Sequence, residues 1–170
     1  MKALLIIDML NDFVRKGAPL YIEGAERIIP NIKREIEKAH KEGYPVIYIC
    51  DAHSPDDEEF KVWPKHAVKG TEGAQIVEEL KPGEGDIIIE KKRYSGFYKT
   101  NLESILKEKG IKELILTGVA ANICVLFTAG DALQRGFKVK IPEDCVAGLT
   151  EDDVRFLIRE MRILQPGEKD

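Results

Sequence analysis

The chain has 170 residues, 44% of them hydrophobic and 33% charged, with a formal net charge of -4. That length suits one domain, 1–170, with a full core; the apolar share excludes disorder, and the slight acidity leaves no electrostatic footprint for nucleic acid. No apolar run is long enough to span a membrane, Asp8 breaks MKALLIIDML too early for a signal peptide, and three cysteines beside apolar runs fit a reducing, cytoplasmic setting.

KALLIID reads as a buried parallel strand closed by Asp8, and residues 9–23 read as a loop rich in turn formers. Ala25, Ile28, Ile29, Ile32, Ile36, Ala39 and His40 recur at helical spacing, with Gly43 as the stop. YPVIYIC is a second strand, ended by Asp51. Residues 51–73 carry charge, Pro and Gly without periodicity; a loop that long is expected to be functional. A short helix over 74–80 and a turn at KPGEGD lead to a third strand, DIIIE. Thr100 and Glu103 suggest a capping box before Leu102, Ile105 and Leu106. KELILTG is a fourth strand, 122–135 a helix closed by Gly136, and FKVKIPEDCVAG a fifth strand with its exit loop. Thr150 and Asp153 cap a last helix facing inward through Val154, Leu157, Ile158 and Met161, and RILQP offers a sixth strand. The βα alternation predicts an open, mostly parallel sheet with helices on both faces.

In such a sheet the strand ends meet at one edge. Cys124 follows a strand, at the break TGVAANI, near a helix start. Amide groups there can lower a thiol pKa and hold an oxyanion; the ordinary alternative is an inert core cysteine. Asp8 is a candidate base for that thiol, or a turn cap. Lys91 or Lys92 can stabilise the pair electrostatically, and spacing does not choose between them; the run is otherwise a charged surface turn. Asp51, His53 and His66 share one loop that holds two of the three histidines. One carboxylate and two imidazoles form a facial metal set with open positions; the alternative is a solvated acidic turn. His40, on a helix face, reads as structural.

LLIIDMLNDFV, DAH, WPKHAVKGTEGA, EKKRYSGFYKTNLESIL and LILTGVAANICVLFTAGDALQRGF, in that order, resemble the isochorismatase-like cysteine hydrolases, in particular their nicotinamidase/pyrazinamidase branch. The resemblance covers nearly the whole chain. It implies a three-layer αβα fold with a six-stranded, mostly parallel sheet. It makes Asp8 the catalytic aspartate, selects Lys91 over Lys92 from the register of RYSGF, and makes Cys124 the nucleophile. It also implies a cis peptide between Val119 and Ala120, with the amides of Ala120 and Cys124 as the oxyanion hole. Asp51, His53 and His66 would hold one divalent ion, zinc by default with iron or manganese open, and Glu59 matches a further ligand of one bacterial subgroup. Phe13 and Trp63 match residues that enclose a pyridine ring. Ala121 and Ala67 depart from the family's usual Thr and Cys. The implied activity is metal-dependent hydrolysis of nicotinamide to nicotinate and ammonia in NAD salvage, with a small amide as partner and a homo-oligomer expected. Carbamoyl-amide hydrolases share the triad and generally lack the metal set, so another small-amide hydrolase is the first alternative. A non-catalytic α/β binding protein is the second.

Overall fold

The first apolar run alternates its side chains between two cores, which places it in the middle of the molecule. In β1 (Lys2–Ile7), Leu4 and Ile6 pack on one side, and Ala3, Leu5 and Ile7 on the other. A strand buried on both faces reads as a continuous hydrophobic run, as this one does. The computed structural model describes residues 1–167, so residues 168–170 of the expected domain lie outside the described residues.

Four further strands run parallel to β1 in one sheet: β2 (Val46–Asp51), β3 (Ile87–Lys91), β4 (Glu113–Val119) and β5 (Lys138–Lys140). The order is β3-β2-β1-β4-β5, and the two-residue β6 (Val146–Ala147) pairs with β4 beyond β5. Helices α1 (Asn11–Val14) and α2 (Ile29–Glu42) cover one face. Helices α3 (Leu102–Glu108), α4 (Leu126–Gln134) and α5 (Glu151–Ile163) cover the other. This is the expected three-layer αβα arrangement. No helix among the described residues is long and apolar enough to cross a membrane.

Two signals behave as read. Gly43 ends α2 with φ 77°, a left-handed stop. Thr150 and Asp153 form a reciprocal capping box on α5. Leu157 and Met161 of α5 are buried, whereas Val154 and Ile158 are only half-buried.

Four local expectations are corrected. Residues 9–23 are not all loop, since α1 lies within them. The helix over 74–80 does not form. Ile76 bridges Leu10 antiparallel, the Val77 amide donates to Met9 O, and only short 3-10 turns flank the bridge. Tertiary pairing outweighs weak local periodicity there. The capping box at Thr100 and Glu103 is also absent. Thr100 Oγ1 turns back to Gly96 O, and Glu103 pairs with Lys107 and Arg135. RILQP is not a strand, because α5 continues through Ile163. Gln165 then occupies the edge of β5 with its side chain: Oε1 accepts from the Val139 amide at 2.8 Å and Nε2 donates to Val139 O at 3.0 Å. A strand would have used those same groups. The sixth strand is instead β6, from the CVAG exit segment.

Candidate active site

The chain reverses direction across the sheet between β1 and β4, and ligands of open α/β sheets bind beyond the strand ends at such a point. Asp8 follows β1 there with φ 51°, in a turn fixed by its amide to Ile49 O and by the Leu10 amide to its own carbonyl, both 2.8 Å. The register of β2 and β3 sets Asp51 beside Lys91. Cys124 lies in a π-helical turn, Ala121–Val125, after the cis peptide Val119–Ala120. Gly118 lies opposite Ile7 in the ladder with φ 108°; a Cβ would sit 2.0 Å from Ile7 O. Only glycine lets β4 come this close as it turns toward Cys124.

These strand ends bring four groups together. Lys91 Nζ lies 3.0 Å from Asp8 Oδ2, 2.5 Å from Asp51 Oδ1, 2.9 Å from Arg93 O and 3.5 Å from Cys124 Sγ. Lys92 is exposed. Geometry thus makes the choice that spacing could not. Asp8 Oδ1 accepts the Asp51 amide at 2.8 Å, which leaves Oδ2 as the oxygen turned to the ammonium.

Burial and charge then set the protonation states. Burial, helped by Asp51, pushes Asp8 up to about 6, although Lys91 opposes it. Burial opposes the charge on Lys91, but Asp51, Asp8 and Cys124 outweigh it and hold the ammonium well above its ordinary value. Burial raises the Cys124 thiol well above its ordinary value, and Asp8 adds to this against the pull of Lys91. This corrects the expectation that the helix start would lower it: loss of water outweighs the nearby amides. The resting centre is a neutral thiol beside a carboxylate and a fixed cation.

A second cluster adjoins the first. Atoms of Asp51, His53, Glu59 and His66 lie within 4.8 Å of one another, all four residues buried. His53 Nε2 is 3.0 Å from Glu59 Oε2 and 3.4 Å from Asp51 Oδ2; His66 Nε2 is 3.5 Å from Glu59 Oε2. His66 Nδ1 lies 2.6 Å from Pro64 O, and His53 Nδ1 lies 3.0 Å from Asp57 Oδ2. A carbonyl only accepts, so His66 Nδ1 carries a proton and Nε2 is free to ligate. His53 Nε2 is buried without a hydrogen-bond partner. Burial works against charge on His53, yet the carboxylates of Asp51 and Glu59 beside Nε2 and of Asp57 beside Nδ1 lift it to about 10. The cluster therefore calls for positive charge at its centre. Two imidazoles and two carboxylates converging on one point suit a divalent ion such as zinc. The donor set fits.

Both clusters open into a cavity of about 180 Å³. Asp8, Asp51, Glu59, His66, Ala120 and Cys124 face it, and Phe13, Leu20, Trp63, Tyr94, Ile123 and Leu149 contribute apolar wall. Among the described residues no lysine or arginine lines it. A larger hollow of about 480 Å³ lies beside β5 and α5, away from these groups, and its lining holds no acid, thiol or imidazole. Phe13 meets the His66 ring edge to face at 5.5 Å, and Trp63 Nε1 donates to Tyr94 Oη at 3.1 Å. His40 pairs with Asp86, and neither residue lines the cavity.

Every site residue expected from sequence thus lines this cavity, except Lys91 and His53, which are buried behind Cys124 and Glu59. Sequence reasoning missed Tyr94, Asp12 and Asp57. Tyr94 fixes the Trp63 indole. Asp12 accepts the Ala67 amide at 2.8 Å and so anchors the segment carrying His66. Asp57 meets His53 from behind. The available signals were weak: an aromatic next to RYSGF's arginine, and an acid four residues after His53.

Known proteins share this architecture. An isochorismatase-like hydrolase from Alkaliphilus metalliredigens aligns with a TM-score of 0.92 at 42% identity, over 96% of this chain and 92% of that one. N-carbamoylsarcosine amidase from Thermoplasma acidophilum aligns at 0.88 and 37%, over 95% and 92%. Pyrazinamidase of Pyrococcus horikoshii in complex with zinc aligns at 0.90 and 34%, over 96% and 95%. Residues 2–168 match the Isochorismatase domain, and with that match over nearly its full length the chain belongs to the isochorismatase family.

Proposed function

We propose that this protein is a metal-dependent amidase that hydrolyses nicotinamide to nicotinate and ammonia. The observation that carries the reading is the opening of two centres, a buried Asp–Lys–Cys group and a His/carboxylate cluster, onto one small apolar cavity. The zinc-bound pyrazinamidase among its relatives supports it. The N-carbamoylsarcosine amidase relative supports a rival substrate, a carbamoyl acid whose carboxylate would seek a basic side chain; among the described residues no lysine or arginine lines the cavity.

In this mechanism Asp8 takes the proton of the Cys124 thiol, and the thiolate attacks the amide carbon. The amides of Ala120 and Cys124 receive the developing oxyanion. Asp8 returns the proton to the leaving nitrogen, which departs as ammonia and leaves a thioester. A water gives one proton to Asp8 and attacks the thioester; nicotinic acid leaves and ionises to nicotinate by losing its proton to solvent, and Asp8 returns its proton to sulfur. Lys91 stays charged throughout and balances the carboxylates and the thiolate. Phe13 and Trp63 clasp the ring, and aromatic contact contributes about 0.5–1.5 kcal/mol beyond burial. Asp51, His53, Glu59 and His66 would hold the ion, zinc first with iron or manganese as alternatives, and when bound it would supply Lewis acidity to orient the ring nitrogen.

Ammonia release across nicotinamide, pyrazinamide, benzamide and N-carbamoyl amino acids tests this. Nicotinamide and pyrazinamide should turn over well and benzamide poorly. Cys124→Ala should be inactive, whereas Cys50→Ala and Cys145→Ala retain activity. Benzamide turned over as fast as nicotinamide would remove the anchoring role of the ring nitrogen, and preference for a carbamoyl acid would establish the rival.

A further inference from the structure

We propose that Asp57 is a positioning residue that holds two of the metal-cluster ligands, His53 and Glu59, in the geometry needed to bind an ion. The inference rests on the metal reading of that cluster. The Asp57 side chain is buried and fully engaged. Its Oδ2 faces His53 Nδ1 at 3.0 Å. Its Oδ1 accepts the Glu59 amide at 2.9 Å and Arg93 Nη1 at 2.9 Å. One carboxylate thus orients His53 through the ring and Glu59 through the backbone, at the start of the 3-10 turn Glu58–Lys61.

The chemistry of the contact matters more than its presence. A carboxylate offers acceptors on both oxygens, so it favours a proton on His53 Nδ1 and reserves Nε2, which points to Asp51 and Glu59, for an ion held between them. Carboxylate partners of this kind orient metal-binding imidazoles and raise their basicity. Arg93 offsets the negative charge of Asp57 from the solvent side. Its carbonyl also holds Lys91 Nζ at 2.9 Å. The same short segment therefore braces both centres.

Asp57→Asn isolates this function because asparagine has one acceptor where aspartate has two. With its oxygen toward Glu59 and Arg93, its NH2 faces Nδ1 and drives the His53 proton onto Nε2, where the ion must bind. With its oxygen toward His53, the NH2 opposes two donors and the Glu59 turn loses its anchor. Either way the cluster is disrupted while the side chain keeps its shape.

The test is competition for Zn2+ alone between the metal-stripped protein and a chromophoric chelator. Asp57→Asn should bind zinc about 10–100-fold more weakly than wild type. Saturating zinc should restore most of its nicotinamide turnover, which repair of a merely structural defect would not do. A measurement without substitution stands beside it. Nitrogen-15 NMR of zinc-loaded wild type should show His53 bound through Nε2, with a slowly exchanging proton on Nδ1. Equal zinc affinity in Asp57→Asn and wild type would overturn the inference while leaving the metal reading intact. So would zinc on His53 Nδ1. Failure of wild type to bind zinc at all would overturn both, and the two failures are thereby distinguished.

Discussion

Replacing Lys91 with methionine removes one buried charge and keeps an unbranched chain of similar length. In the wild type that charge stands 3.0 Å from Asp8 and 2.5 Å from Asp51. At an effective dielectric near 20, a pair at 3.0 Å attracts by about 5–6 kcal/mol, and desolvation of the ammonium cancels much of this. The variant forfeits both attractions and leaves two carboxylates facing each other without the lysine between them. Breaking a buried pair from one side costs about 3–5 kcal/mol, a large part of a typical total of about 5–15 kcal/mol. For a chain of this length the melting temperature should fall by about 6–20 °C. Urea unfolding of chelator-treated protein measures the loss directly, with Lys92→Met as the exposed control expected within about 0.5 kcal/mol of wild type. Adding Asp8→Asn to Lys91→Met removes one stranded charge and should recover about 1–3 kcal/mol. A Lys91→Met protein as stable as wild type, or one made still less stable by Asp8→Asn, would refute the reasoning that lysine neutralises this pair of acids.

Further expectations follow from neighbouring contacts. Asp8→Asn keeps the oxygen that accepts the Asp51 amide but cannot take a proton; kcat for nicotinamide should fall by about 10²–10⁴, and a loss under tenfold would exclude Asp8 as the base. Gly118→Ala places a methyl 2.0 Å from Ile7 O at φ 108° and should destabilise by about 2–6 kcal/mol in urea unfolding. Gly130→Ala, inside α4 with open space around it, should instead stabilise by about 0.4–1 kcal/mol in the same assay. Chelation should suppress nicotinamide turnover while far-UV circular dichroism stays near that of the loaded protein, because His53, Glu59 and His66 lie in the connection between β2 and β3, and no cluster residue belongs to either apolar core.

The sequence by itself determined the layers and the strand ends. Apolar runs of strand length, closed by Asp8, Asp51 and the lysine pair, specify parallel strands, the first two buried and the third at the sheet edge, whose polar ends gather on one side. Periodicity located α2 and α5, because amphipathic faces and caps are encoded by residues three and four apart. Local pattern failed where a distant partner competed for the same backbone. Residues 74–80 pair with the 9–11 segment, and Gln165 occupies the β5 edge that a sixth strand would have taken. The site divides in the same way. Asp8, Cys124 and the Asp51–His53–His66 set are visible as residue types at strand ends and in one loop. Spacing left Lys91 and Lys92 open and the RYSGF resemblance favoured the first; the fold gives the physical reason, because the register with Asp51 turns Lys91 into the centre and leaves Lys92 in water. Only the fold raises the Cys124 thiol, because burial is a sum over neighbours from every layer. The role of Asp57 is likewise tertiary. An acid four residues from a histidine is commonplace, and what distinguishes this one is a carboxylate shared by His53, Glu59 and Arg93, the last of which lies 36 residues away and arrives only with the pairing of β2 and β3.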